Sequence, residues 1–146
     1  MRRYPSGISV GGVDAGGQRL AVTMGSLVSL SLEPPLVGIS IGKQNALHEL
    51  LREASEFGVS ILSGEQEALA SHFARGLPPI ALWEGVAVRE GDGPPLLEGA
   101  LGWLRCSVSA ECDAGDHTFF VGGVESAELG ANGEPLVYVG SDYRPL

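Results

Sequence analysis

Lysine is almost missing from this chain of 146 residues: eight of its nine basic residues are arginine, and Lys43 stands alone. Against 18 acidic residues the formal charge is −9, a balance that repels phosphate backbones and anionic bilayers, so no nucleic-acid or membrane partner is expected. An anionic small ligand therefore requires a local exception. Cysteine is scarce as well. Cys106 and Cys112 lie on one stretch, CSVSAEC, about 20 Å apart if extended, whereas a disulfide needs Cα atoms within about 7 Å. Two unpaired thiols point to a reducing compartment, and with neither a CxxC pair nor a His/Cys cluster both are expected to be buried and inert, with no metal bound. The start MRRYPSG lacks the apolar run of a signal peptide, and no stretch approaches the ~20 apolar residues of a membrane span, so a cytoplasmic protein is expected. Nor is there a GxSxG elbow, a P-loop, an HExxH pair or a GxGxxG after a first strand, which sets aside those hydrolase, nucleotide-triphosphate, zinc-protease and Rossmann sites.

What is abundant is glycine, 22 residues or about 15% of the chain, roughly twice the usual share and without a repeat. That implies many tight turns and a β-rich single domain over residues 1–146. GISVGGVD (7–14) and RLAVTMG (19–25) read as a hairpin around AGGQ. SLVSLSLEPP (26–35) reads as a further strand, buried by its leucines, that stops at two prolines. LVGISIG (36–42) reads as a strand covered on both faces, with Pro34 and Pro35 at its entrance because proline cannot donate to a ladder. The period then changes. Leu47, Leu50, Leu51 and Ala54 fall on one helical stripe within NALHELLREAS (45–55), with Asn45 as N-cap.

FGVSIL (57–62) is again strand-like, and Ser63-x-x-Gln66 has capping-box spacing before a helix over 65–75 with Leu69 and Phe73 inward. Beyond GLPP the chain reads as strands IALWEGVAV (80–88), GWLRCSVSAEC (102–112), HTFFVGGVESAEL (117–129) and PLVYV (135–139), with a hairpin tip at DAGD (113–116). The predicted architecture is mainly β, an antiparallel barrel of seven or eight strands with two short helices filling gaps.

Three hydroxyls within SLVSLSLEPP admit two readings: partners for their own backbone, or donors to a polyanionic ligand. The second gains from its surroundings, since Lys43, Asn45 and the open amides of the first helix form a positive end nearby, with Thr23, Ser26 and Ser29 from the neighbouring segment. His48, early on that helix, is placed to reach the same anion, while His72 is expected to face solvent. His117 sits at a hairpin tip, where its flat, titratable ring suits contact with a redox ring or a carboxamide.

The order of segments resembles the flavin reductase domain, the FMN-binding split barrel that serves as reductase component of two-component flavin-dependent monooxygenases. The likeness runs through YPSGISV, AVTMGSLVSLSLEPPLVGISI, KQNALHELLREASEFGVSIL, EQEALASHFA, PPLLEGALGWLRCSV, DAGDHTFFVGGV and PLVYVGSDYRPL. It implies a Greek-key split barrel, an NAD(P)H:flavin oxidoreductase activity and a homodimer. Thr23, Met24, Gly25, Ser26, Leu27 and Ser29 would wrap the flavin with Ser40 beside them, and Lys43, Asn45, Ala46 and His48 would complete the phosphate end. Gly115-Asp116-His117 matches the family's GDH signature, which assigns His117 to the nicotinamide as the catalytic candidate, with Ser6 and Gly7 approaching the same nucleotide.

The family's Ser/Asn-Ser-Phe-Thr is replaced here by Gly25, Ser26, Leu27 and Val28, and each hydrogen bond lost to a charged oxygen removes on the order of 1–3 kcal/mol. Looser flavin binding is expected. FMN and FAD remain alternatives, as do NADH and NADPH, and a flavin-binding carrier or sensor without reductase activity is the competing reading.

Overall fold

The computed structural model describes residues 1–146. Strands β1 (Ser6–Gly7), β2 (Ser9–Ala15), β3 (Gln18–Met24), β4 (Val28–Leu32) and β5 (Pro35–Gly42) precede helix α1 (Ala46–Ala54) and strand β6 (Glu56–Ile61). Helices α2 (Glu67–Ala74) and α3 (Pro79–Leu82) lead to the long hairpin β7 (Gly102–Ala114) and β8 (His117–Leu129), then β9 (Leu136–Val139) and β10 (Asp142–Pro145). Seven strands form one antiparallel sheet in the order β3-β2-β6-β7-β8-β5-β4, and β1-β9-β10 form a small second sheet. Backbone bonds Ile8 N–H to Leu136 C=O, Leu136 N–H to Leu62 C=O and Leu62 N–H to Ile8 C=O tie the two together.

Tight turns place the hairpins. Gly16 and Gly17, at φ 61° and 90°, join β2 to β3, since two positive-φ residues match the right-handed twist of the flanking strands. Gly140 and Ser141 do the same for β9 and β10, a strand the sequence reading does not include. The sheet's edge strands β3 and β4 are joined by Gly25–Leu27, and α1 packs chiefly on β2. Asn45 Oδ1 accepts from Leu47 N–H at 2.9 Å, as expected of an N-cap, and Leu47, Leu50 and Leu51 are buried against β2, β3, β5 and β6.

Four expectations are corrected. The stretch 80–88 is not a strand: Pro79 opens the single helical turn α3, Trp83 Nε1–H donates to Arg19 C=O at 2.9 Å, and only Val88 bridges to Leu97. β4 is an exposed edge rather than a buried strand, with Val28, Leu30 and Leu32 facing outward. Cys106 is buried, and desolvation together with the nearby Glu125 charge pushes its thiol up to about 12, but Cys112 is exposed because β7 beyond Val108 runs past the body of the barrel. His72 is half-buried, its Nε2–H donating to Leu82 C=O at 2.7 Å.

The segment 94–100, which lacks a regular element, covers the outer face of the sheet. Gly12 and Gly58 are direct partners on β2 and β6, and a Cβ on either would lie 2.7 Å from Pro95 C=O or from Leu96 Cδ2. Bare backbone there lets the loop seat Leu96, which clusters with Ala100 and Trp103.

Candidate functional site

Three stretches of chain, 22–26, 40–45 and the start of the strand at His117, converge on one groove of about 470 Å³. Val22, Thr23 and Met24 end β3, Gly25 and Ser26 form the connection to β4, and Ser40, Ile41 and Gly42 end β5. Asn45 stands at the head of α1 and His117 at the head of β8. Convergence follows from topology: β5 pairs with β8 so that Gly42 faces His117, and the chain leaving β5 turns at once into α1. Gly42 has no side chain to interpose, and a Cβ there would lie 3.7 Å from His117 Nε2. A second cavity of about 430 Å³, between Gly64, Asn132 and Glu134, gathers none of the sequence candidates.

Of the candidates, Thr23, Met24, Gly25, Ser26, Ser40, Asn45 and His117 therefore share the groove. Ser6 borders it, because its Oγ lies 2.7 Å from where a Cβ on Gly25 would start. Gly7 instead pairs with Val137 in the small sheet, Ala46 lines the neighbouring cleft, and Leu27 packs on the core. Ser29 lies on exposed β4 opposite Val37. His48 is turned inward and buried, its ring nitrogens hydrogen-bonded to Glu49 Oε1 at 2.9 Å and Thr118 Oγ1 at 2.7 Å, so it does not reach an anion in the groove. Val22 and Ile41 are lining residues that the sequence reading does not single out, since both are apolar strand residues without a chemical signal.

Two of the hydroxyls serve backbone partners in this structure. Ser26 Oγ accepts from Ser40 N–H at 3.0 Å and donates to Ser40 C=O at 3.2 Å, continuing as a side chain the ladder that β4 and β5 begin at Val28 and Gly38. A hydroxyl has a single hydrogen, and here Ser26 directs it to the Ser40 carbonyl. Thr23 is in the same position, its Oγ1 donating to Ala70 C=O at 2.7 Å and pinning β3 to α2. Lys43 Nζ is ion-paired with Asp113 on the hairpin tip, and its charge also lowers the pKa of Asp116.

The donors that remain are backbone and amide groups. Asn45 N–H and His48 N–H close the turn into α1 and Leu47 N–H is capped by Asn45, which leaves the N–H groups of Gln44 and Ala46 and the Asn45 carboxamide NH₂ open. They lie at the positive end of a helix, where an anion is stabilised. On the opposite rim His117 Nδ1 is 2.7 Å from Asp116 Oδ1. That hydrogen bond, with the ring's charge, holds the Asp116 carboxyl below the usual carboxylate range.

Comparison with known proteins places this geometry. The flavin reductase like domain matches residues 1–146. The reductase component of 4-hydroxyphenylacetate 3-monooxygenase from Thermus thermophilus is 41% identical over 146 residues, covering 100% of this chain and 92% of the relative. An NADH-dependent flavin reductase from Rhodococcus is 42% identical over 127 residues, 86% of this chain and 69% of its own length. Among solved structures, the NADH:FAD oxidoreductase of Streptomyces globisporus superposes with a TM-score of 0.93 at 34% identity, covering 99% of this chain and 87% of that one. The flavin reductase component of a bacterial two-component tryptophan halogenase superposes at 0.92 with 34% identity, covering 99% and 92%. A mainly antiparallel split barrel whose strand ends, helix start and Gly-Asp-His tip meet in one groove, matched along its whole length, belongs to the flavin reductase-like domain family.

Proposed function

We propose that this chain is an NAD(P)H-dependent flavin reductase working at the groove between the ends of β3 and β5. The observation that carries this reading is the meeting of Asn45 at the head of α1, the Met24–Ser26 stretch and His117 in one cavity of about 470 Å³. The donor set fits a flavin: open N–H groups and a carboxamide for a phosphate, and backbone with glycine for close approach to a ring edge. When bound, flavin supplies the acceptor for a hydride from C4 of reduced nicotinamide, and the reacting atoms belong to the two ligands.

The protein's work is therefore positioning and exclusion of water. Asn45 with the Gln44 and Ala46 amides holds the phosphate end. Gly25 and Ser26, braced on Ser40, form the floor. His117, steadied by Asp116, orients the nicotinamide from the rim, with Ser6 on the other side. Few side-chain donors are available, because Lys43 is already paired and the Ser26 and Thr23 hydroxyls point to carbonyls. This supports flavin that is exchanged as a substrate rather than held as a carrier would hold it. A flavin-dependent monooxygenase is the natural recipient of the reduced product.

Exposed Val28, Leu30 and Leu32 on edge strand β4 support association into a homodimer. No helix is long and apolar enough to cross a membrane, and two unpaired thiols support a cytoplasmic setting.

The test is to mix protein with FMN or FAD and NADH or NADPH and follow absorbance at the nicotinamide band. Flavin-dependent loss of that band is expected. Bound flavin with no loss supports the carrier, and the absence of both sinks the flavin assignment.

A further inference from the structure

His48 is a titratable side chain that the proposed chemistry does not use, buried in the core at the third residue of α1. A polar ring costs free energy there unless its nitrogens are hydrogen-bonded, and a leucine avoids that cost. Both nitrogens have partners. Glu49 Oε1 only accepts, so His48 Nδ1–H donates to it at 2.9 Å, and Nε2 of the neutral ring accepts from the Thr118 hydroxyl at 2.7 Å. Thr118 is buried as well, and the next residue toward the hairpin tip is His117. We infer that the His48–Thr118 hydrogen bond pins the register of β8, which makes His48 the positioning residue for His117; this rests on the nicotinamide role proposed above for His117.

The strand needs such a pin. Successive strand side chains point to opposite faces, so a shift of the tip by one residue turns His117 away from the groove. Little else forbids that shift. Phe119 and Phe120 are neighbours, and a bulge at Val121 would leave Gly122 under Phe57 while exchanging one phenylalanine for the other in the core. On one side β5 offers only glycine opposite Val121 and His117, and on the other the β7 register already shifts at Arg105/Cys106 and at Val108/Ala110. Residues 109–117 are exposed throughout. The ion pairs that reach this arm, Lys43–Asp113 and Arg52–Glu111, are exposed too, and exposed pairs constrain little. The bond from His48 is the buried one. Without it the Thr118 hydroxyl has no partner in the core and regains water by turning toward the groove face, which carries His117 off that face.

Nuclear magnetic resonance reads the pin without any ligand. His117 Nε2 lies 3.7 Å from where a Cβ on Gly42 would start, so the wild-type His117 ring should give a nuclear Overhauser peak to the Gly42 Hα protons. His48→Leu should lose that peak, and His48→Gln, whose amide can keep the bond to Thr118, should retain it. Kinetics reads the consequence. His48→Leu should raise the nicotinamide KM about fivefold while kcat and the flavin dissociation constant stay within about twofold, and His48→Gln should recover most of the loss. In a His117→Ala background the same His48→Leu change should add less than about twofold, because a residue that acts through His117 has nothing left to position. Should His48→Leu not fold, His48→Asn reads the same loss, since its shorter amide stops short of Thr118. A Gly42 peak that survives in His48→Leu would overturn the inference, and so would a KM penalty of equal size with and without His117. If the wild type oxidises no nicotinamide with either flavin, the flavin reading fails, and the Gly42 peak still decides whether His48 pins the strand.

Discussion

Replacing Ser26 with alanine removes one oxygen and strands two backbone groups, the N–H and C=O of Ser40, which the hydroxyl serves at 3.0 and 3.2 Å. Each neutral hydrogen bond is worth about 0.5–1.5 kcal/mol net, and an unsatisfied buried partner costs more. Both Ser40 groups border the groove, so water replaces part of what is lost, and the expected destabilisation is about 1–2 kcal/mol. For a domain of this size that lowers Tm by about 3–6 °C, readable by calorimetry or circular dichroism.

Flavin affinity tells whether the hydroxyl is a brace or a ligand. With its only hydrogen on the Ser40 carbonyl, Ser26 Oγ has nothing to donate to a phosphate, so FMN and FAD dissociation constants should change by less than about threefold. The opposite pattern, Tm unchanged and flavin weakened tenfold or more, would refute the brace and restore the ligand reading of the serine cluster.

His117→Ala should slow nicotinamide-dependent flavin reduction, mainly through a raised nicotinamide KM, while flavin binding stays within about twofold; unchanged steady-state kinetics would remove His117 from the site. Asp116 is the depressed carboxyl of its pair, so its contribution is complete above the ordinary carboxylate pKa and disappears as pH falls through the lower folded value. Proton NMR of the His117 ring should show that acid inflection, and Asp116→Asn should abolish it. Gly122→Ala would place a Cβ 2.4 Å from Phe57 Cζ and 3.0 Å from Cys106 Cβ. Both neighbours are buried, so a loss of about 2–3 kcal/mol in urea unfolding is expected. A thiol reagent at pH 8 should label Cys112 rapidly and Cys106 only after unfolding, because the Cys106 thiol is pushed up to about 12; equal native labelling would contradict its burial. Light scattering at micromolar concentration should return twice the 15.1 kDa chain mass, and a monomeric mass would count against association through β4.

Much of the path of the chain was legible because local chemistry speaks for itself. The leucine stripe and Asn45 marked α1, two glycines marked the β2–β3 turn, and Gly115 at φ 71° allowed the two-residue tip between Ala114 and His117. IALWEGVAV misled because an apolar run with β-branched residues imitates a buried strand, while Pro79 and the Trp83–Arg19 hydrogen bond hold its first half against β3 as a helical turn. Cys112 misled because distance along a strand says nothing about where the sheet beneath it stops.

The sequence alone determined which residue types were available and roughly where strands and helices begin, since periodicity, capping and turn chemistry act over a few neighbours. It also brought Lys43, Asn45 and the serines under suspicion together. Only the tertiary structure decided their employment. It gave Ser26 and Thr23 to carbonyls on β5 and α2, Lys43 to Asp113 across the hairpin, and His48 to Thr118 in the core. A side chain's partner is chosen by which segments come to lie beside it, and those partners are 14, 47, 70 and 70 residues away in the chain, beyond the reach of any local pattern.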